Sequence, residues 1–263
     1  KPTAADPRGR ICGCVKKGVS PGGRRPFLLH QATFSPVLGC LPCGTMRFLL
    51  TRTGTGAWAI TMAGRTEMAT ELRRVVFVLL PGAHPGSLMP ALSVLLSANR
   101  MAEDPLYQIE CCTLEEQSVR ASDGLLLQPA PLEACAPGFA QLWLVAESLS
   151  AVDSLPDWLA PQLADWLAAG VVVGGLEAGA AVLAACGVLD GARCAVHWRM
   201  LDEFRERFPQ VEAVTQLYVQ EANLATSSGG LASTDLLLGV LAQEQGQDLA
   251  ALVAEDLVIE RTR

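Results

Sequence analysis

From residue 73 onward, apolar runs of strand length alternate with stretches of helical period, and no other feature narrows the fold as much. Val75–Leu80 (VVFVLL) reads as a strand buried on both faces and closed by Pro81-Gly82. Leu88–Met101 follows as a helix, with Leu92, Leu95, Leu96 and Asn99 at helical spacing. Tyr107–Thr113 reads as a strand, Val119–Leu127 as a hairpin around Asp123-Gly124, and Gln141–Ala146 as a second buried strand. Next come a helix over Trp158–Ala169, a short strand at Val171–Val173 and a small-residue helix at Ala178–Ala185. After Arg193–Val196 the pattern repeats, with a helix at Met200–Phe208, strands near Gln216–Val219 and Leu224–Thr226, and helices at Thr234–Gln243 and Asp248–Leu257. Strands joined through helices run parallel and are covered on both sides, so a three-layer α/β sandwich with a mostly parallel central sheet is expected.

Charge divides the chain at the start of this pattern. Residues 1–67 hold ten Lys/Arg and two acids, a balance of +8, whereas residues 68–263 hold ten Arg, no Lys and 25 acids, a balance of −15. An acidic body repels DNA phosphates, so residues 68–263 are not expected to bind nucleic acid directly. The longest apolar run, Leu167–Leu189, is broken by Glu177 and by glycines and reads as strand, turn and helix, not as a membrane span. The basic N-terminus lacks the apolar stretch of a secretory signal. A cytoplasmic location with no membrane partner is therefore expected, and with it nine cysteines as reduced thiols.

Residues 1–67, rich in Gly, Pro, Arg and Cys, show no sustained period. They read as a disordered tail or as translated upstream sequence ahead of Met68. The competing reading is a zinc site made by Cys12, Cys14, Cys40 and Cys43 with His30, because thiolate pairs at such spacing can share one metal. The tail is preferred, with no cofactor and no metal. At the other end the chain stops at Glu260–Arg263 without a loop or cap and reads as cut rather than finished.

The segment Val171-Val-Val-Gly-Gly-Leu-Glu177-Ala178-Gly179 carries the chemistry. An apolar strand enters a glycine-flanked turn and passes at once into a helix of small residues. This is the geometry of a nucleophile elbow, which presents one side chain where helix N–H groups favour an anion. Twenty residues on, Val196-His197-Trp198 ends another short strand, where an imidazole can serve such an elbow.

Gly175-Leu-Glu177-Ala-Gly179-Ala, Gly187-Val-Leu-Asp-Gly191 and His197-Trp198 together resemble the ThiJ/PfpI branch of the class I glutamine-amidotransferase-like superfamily. More narrowly they resemble the sensor domain of AraC-type regulators of the GlxA group. Leu80-Pro-Gly, Ala98-Asn-Arg100, Val119–Gly124, Arg207-Phe-Pro209 and Thr226–Gly230 with Asp235 extend the resemblance over about residues 72–260. It implies a flavodoxin-like fold, a downstream helix-turn-helix domain through which alone DNA would be bound, and a homodimer.

Enzymes of that superfamily carry Cys on the elbow, where this chain has Glu177, and an acid after the first strand, where it has Ser87. Of the catalytic set only His197 remains. A carboxylate lacks the nucleophilicity of a thiolate, and carboxylate nucleophiles work in pairs, yet no partner acid stands at a fitting position. The expectation is a non-catalytic sensor of an amine or other nitrogen-containing effector, with Ser87, Glu177, Ala178, His197 and Trp198 at the ligand. The resemblance associates an acidic elbow with arginine, carnitine or betaine-like ligands. Two alternatives remain open: Glu177 as a plain helix cap, and a hydrolase or lyase using Glu177 and His197 with a water.

Overall fold

The computed structural model describes residues 47–52, 58–63, 72–115, 118–135 and 138–259. The chain divides into two units, Lys1–Thr66 and Glu67–Arg263. In the first, β1 (Arg47–Arg52) pairs antiparallel with β2 (Trp58–Ala63), Arg47 facing Ala63 and Arg52 facing Trp58. These two strands fall within the segment read from the sequence as a tail, and their runs RFLLTR and WAITMA are rich in β-forming residues. The zinc candidates Cys12, Cys14, His30, Cys40 and Cys43 lie outside the described residues.

The second unit comprises β3 (Arg73–Leu79), α1 (Pro85–Met101), β4 (Tyr107–Thr113), β5 (Val119–Arg120), β6 (Leu126–Leu127), β7 (Ala130–Pro131) and β8 (Gln141–Ala146). It continues with α2 (Leu159–Ala168), β9 (Val172–Glu177), α3 (Gly179–Ala185), β10 (Arg193–Ala195), α4 (Leu201–Arg207) and β11 (Glu212–Val214). β12 (Tyr218–Glu221), β13 (Leu224–Ser227), α5 (Ala232–Gln245) and α6 (Gln247–Asp256) complete it. Seven strands form one sheet in the order β12-β13-β9-β8-β3-β4-β7, parallel throughout except for the antiparallel β12–β13 pair. This is the flavodoxin-like three-layer sandwich.

The alternation of side chains along a strand divides the core in two. Val76, Val78, Leu142, Leu144 and Val173 face the side covered by α2, α3 and α4, through Leu159, Leu163, Ala181, Leu183 and Phe204. Val75, Phe77, Trp143, Val145, Leu176 and Ala225 face α1, α5 and α6, through Leu88, Ala91, Leu95, Leu237, Leu241 and Val253. Both faces of β3 and β8 are therefore buried beyond their first residues, which is why Val75–Leu79 and Leu142–Ala146 are continuous apolar runs.

Three expectations need correction. The strand predicted at Val171–Val173 runs on to Glu177. Gly174 lies in it because the Trp143 ring fills the space where a side chain would stand, a tertiary cause that strand propensity does not register. Ser87, expected on a loop, occupies the first turn of α1, which begins at Pro85. Finally, Cys112 and Cys135 are joined as a disulfide. The pairing of Cys112 with Ala130 in the β4–β7 ladder brings the following turn back to it, so the nine cysteines are not all thiols.

Candidate functional site

β9 delivers Glu177 to the carboxyl end of the sheet, where Ala146 of β8 is its ladder neighbour and α3 starts two residues later. Glu177 adopts φ 58°, a left-handed conformation that costs a residue with a Cβ on the order of 1 kcal/mol. A strained strand-to-helix turn of this kind holds one side chain up at the end of a parallel sheet, where α/β folds keep their ligands.

Three segments converge on that side chain. Ser87 Oγ donates to Glu177 Oε2 at 2.6 Å and accepts from the Gly230 N–H at 2.8 Å, linking α1, the elbow and the loop after β13. Gly229, at φ 93°, closes over the carboxylate stem: a Cβ there would stand 2.7 Å from the Cβ of Glu177. Burial pushes the Glu177 carboxyl above the usual range; the Ser87 bond and His84 pull it down, and Glu147 adds to the rise. Glu147 follows directly on β8 and lies 4.0 Å from His84 Nδ1, which also meets Ser122 Oγ at 3.1 Å.

His197 and Trp198 belong to the same end of the sheet. The N–H of Ala195, the last residue of β10, donates to Thr226 Oγ1 at 2.8 Å, and Thr226 pairs with Gly175 two residues before the elbow. His197 Nδ1 accepts from the Arg199 N–H at 3.2 Å. Desolvation, and secondarily Arg199, hold its imidazole below the ordinary range, favouring the neutral ring. No hydrogen bond joins His197 to Glu177 among the described residues. Trp198 is 68% exposed, and the Arg199 guanidinium lies 5.3 Å from its ring centroid, so one cation already occupies a face of that indole.

Of the residues singled out from the sequence, the structure joins Ser87 and Glu177 directly. It buries Ala178 behind them with its N–H given to Ala146 O, and sets His197 and Trp198 on the adjoining loop. Sequence reasoning found no partner acid for Glu177 and so missed Glu147, along with Ser122 and the covering role of Gly229. A signal for Glu147 existed: it is the first polar residue after the apolar run Leu142–Ala146 of a fully buried strand. The thiols near the elbow carry no nucleophile at neutral pH, because burial pushes Cys186 up to about 11 and Cys194 up to about 12. Among the described residues no group of three or more His, Cys, Asp or Glu is disposed to hold a metal, and no helix is long and apolar enough to cross a membrane.

No family model matches the chain. A ThiJ/PfpI family protein from Pseudomonas syringae superposes on it with a TM-score of 0.62 at 19% identity, covering 73% of this chain and 77% of that one. The fold is thus that of the ThiJ/PfpI and DJ-1 proteins, a parallel α/β sandwich with its elbow at the carboxyl end. An AraC family transcriptional regulator from Pseudomonas putida superposes with a TM-score of 0.62 at 28% identity, over 70% of this chain and 99% of that one. The HTH-type transcriptional regulator ArgR of Pseudomonas aeruginosa is 36% identical over 196 residues, which are 74% of this chain and 58% of that protein. Over these residues the chain is similar to HTH-type transcriptional regulators, among them ArgR and CdhR of Pseudomonas aeruginosa and GlxA of Rhizobium meliloti, and its fold is the one found in ThiJ/PfpI proteins. It spans just over half the length of the curated relatives it matches.

Proposed function

We propose that residues 68–263 are a non-catalytic sensing domain of a transcription regulator, and that Glu177 receives the cationic group of an amine- or guanidinium-bearing metabolite. The observation that carries this reading is the placement of the carboxylate. It occupies a strained elbow at the ligand end of the sheet, burial raises its proton affinity, and a single hydroxyl serves it as donor. An acid held this way is under-compensated, and a cation arriving at this end of the sheet supplies what Ser87 alone does not. Trp198, His197 and Ser87 would border the ligand, with Ala178 shaping the floor from behind.

DNA contact, on this reading, belongs to a helix-turn-helix domain outside these residues, and the sensing domain self-associates as a homodimer. Ligand would act by favouring one arrangement of domains over another. The non-catalytic character is supported by the chemistry of the elbow. Glu177 already accepts a short hydrogen bond, the His197 Nδ1 lone pair is taken by a backbone N–H, and the nearby thiols are protonated. Calorimetry and thermal unfolding with L-arginine, L-carnitine, glycine betaine and n-butylammonium test the proposal. At least one should bind and raise the melting temperature with its excess over Kd, and Glu177→Gln should abolish the effect. Steady turnover of amide or α-oxoaldehyde substrates that disappears in Glu177→Gln would overturn it in favour of a carboxylate-dependent hydrolase or lyase.

A further inference from the structure

The disulfide between Cys112 and Cys135 has no part in the sensing role, yet the fold places it where it can act on the elbow. Cys112 stands near the carboxyl end of β4, and the ladder pairs it with Ala130 and Thr113 with Pro131. A 3₁₀ turn at Leu132–Ala134, closed by the Cys135 N–H donating to Leu132 O at 2.9 Å, then brings Cys135 back to it. The two cysteines are 23 residues apart, so their bond closes a loop that contains the whole β5–β6 hairpin.

That hairpin braces the connection from β3 to α1. The Gly82 N–H donates to Arg120 O at 3.0 Å, the Ser122 N–H donates to Ala83 O at 3.3 Å, and Ser122 Oγ lies 3.1 Å from His84 Nδ1. His84 directly precedes α1, whose first turn holds Ser87 on Glu177. The loop closed by the disulfide is thus hydrogen-bonded to the segment that sets the one donor of the elbow carboxylate.

Oxidation is selective. Among the described residues Cys111, Cys186 and Cys194 are thiols. Cys111 packs on the α1 side of the sheet and Cys112 on the α2 side, so neighbours in sequence are separated by the strand itself. Exposure divides the joined pair as well: Cys112 is 1% exposed, whereas Cys135 is only half-buried. An attacking thiolate therefore reaches Cys135 and not Cys112.

We infer that Cys112 and Cys135 form a reversible modification site, which exchanges with low-molecular-weight thiols and disulfides of the glutathione kind and thereby fastens or releases the hairpin beside the elbow. In the reducing direction a glutathione thiolate attacks Cys135 Sγ, the protein S–S bond breaks, and Cys112 leaves as a thiolate that takes a proton from water. A second glutathione thiolate attacks the glutathione sulfur of the mixed disulfide, and oxidised glutathione departs as Cys135 becomes a thiol. Two electrons pass from two glutathione thiols to the protein disulfide, and oxidation is the same path reversed. The exchange stands by itself; its effect on ligand binding rests on the role proposed for Glu177.

The wild-type chain, equilibrated at graded ratios of reduced to oxidised glutathione, alkylated and mapped by mass spectrometry, tests the exchange. Cys112 and Cys135 should pass together from alkylated thiols to one linked peptide as the buffer turns oxidising, while Cys111, Cys186 and Cys194 remain alkylated. A pair that stays reduced in oxidised glutathione, or stays linked in excess dithiothreitol without denaturant, overturns the proposal. Cys112→Ser should collect a glutathione adduct at Cys135 and Cys135→Ser none at Cys112; the opposite distribution overturns the order of attack. Hydrogen–deuterium exchange of the two wild-type forms reads the coupling. Reduction should speed exchange about tenfold or more at residues 119–127 and in the first turn of α1, and leave α5 unchanged. Equal rates in the two forms overturn the fastening. Reduction should also weaken n-butylammonium binding in calorimetry. If neither form binds that probe while the exchange rates differ, the cation-receiving role of Glu177 falls and the redox fastening stands.

Discussion

The two ends of the central sheet each hold a partly buried glutamate, and they treat it in opposite ways. At the amino end, Glu244 of α5 is gripped by the first residues of three strands. Arg73 donates to Oε1 at 2.7 Å, Tyr107 Oη to Oε2 at 2.9 Å, and Gln141 Nε2 to Oε2 at 3.0 Å. Gln141 in turn accepts the indole N–H of Trp143. At the carboxyl end, Glu177 has one hydroxyl donor, a left-handed backbone and an acid for a neighbour. The first acid is built into the fold as a bolt between helix and sheet. The second stands at the carboxyl end of the parallel sheet with a single hydroxyl as donor. Burial alone does not separate the two acids; the number of donors does.

Removing the bolt should produce the largest effect. Glu244→Ala leaves the buried Tyr107 hydroxyl and the Gln141 amide without their acceptor and should lower stability by about 3 kcal/mol in urea unfolding. It should also return the Tyr107 phenol, which burial and then Glu244 push upward, toward its ordinary titration in ultraviolet difference spectra. Gly229→Ala should cost about 2 kcal/mol, since it forces a methyl onto the Glu177 stem at φ 93°. Its refolded state should also lose cation binding, which separates it from the Glu244 variant.

Glu177→Gln should reduce cation affinity at least tenfold, about 1.4 kcal/mol, while leaving stability at neutral pH unchanged or higher. Its pH signature has a definite sign. Glu177 holds its proton more tightly folded than unfolded, so the stability it contributes is complete below the ordinary carboxylate range. That contribution is lost as pH rises through its raised folded value. Wild type should therefore lose stability relative to Glu177→Gln on going upward across that window. Asp256 has the reverse sign. Ser97, and then Arg100, hold it below the usual range, so Asp256→Asn should narrow its deficit only as the solution is made acid, in a small shift of the urea midpoint.

The two ends were not equally legible. VVFVLL and QLWLVA announce strands buried on both faces, and their alternation with helical periods leads to the sandwich. The elbow also showed in the primary pattern, because a glycine-rich strand running into a small-residue helix has few other uses. Nothing in the sequence marks Glu244: it lies in an ordinary helix, and its donors come from residues 73, 107 and 141, far away in the chain. The same holds for the contact of Ser87 with Gly230 and for the disulfide between Cys112 and Cys135, each made by strand order and not by spacing.

The sequence by itself determined the layers, the parallel sheet and the identity of the elbow residue, because periodicity and local turn chemistry act over a few neighbours. Only the tertiary structure decided which buried acids gather several donors and which keep one. Electrostatic environment is a sum over groups that folding brings within a few ångströms, and strand order, not proximity along the chain, sets the members of that sum.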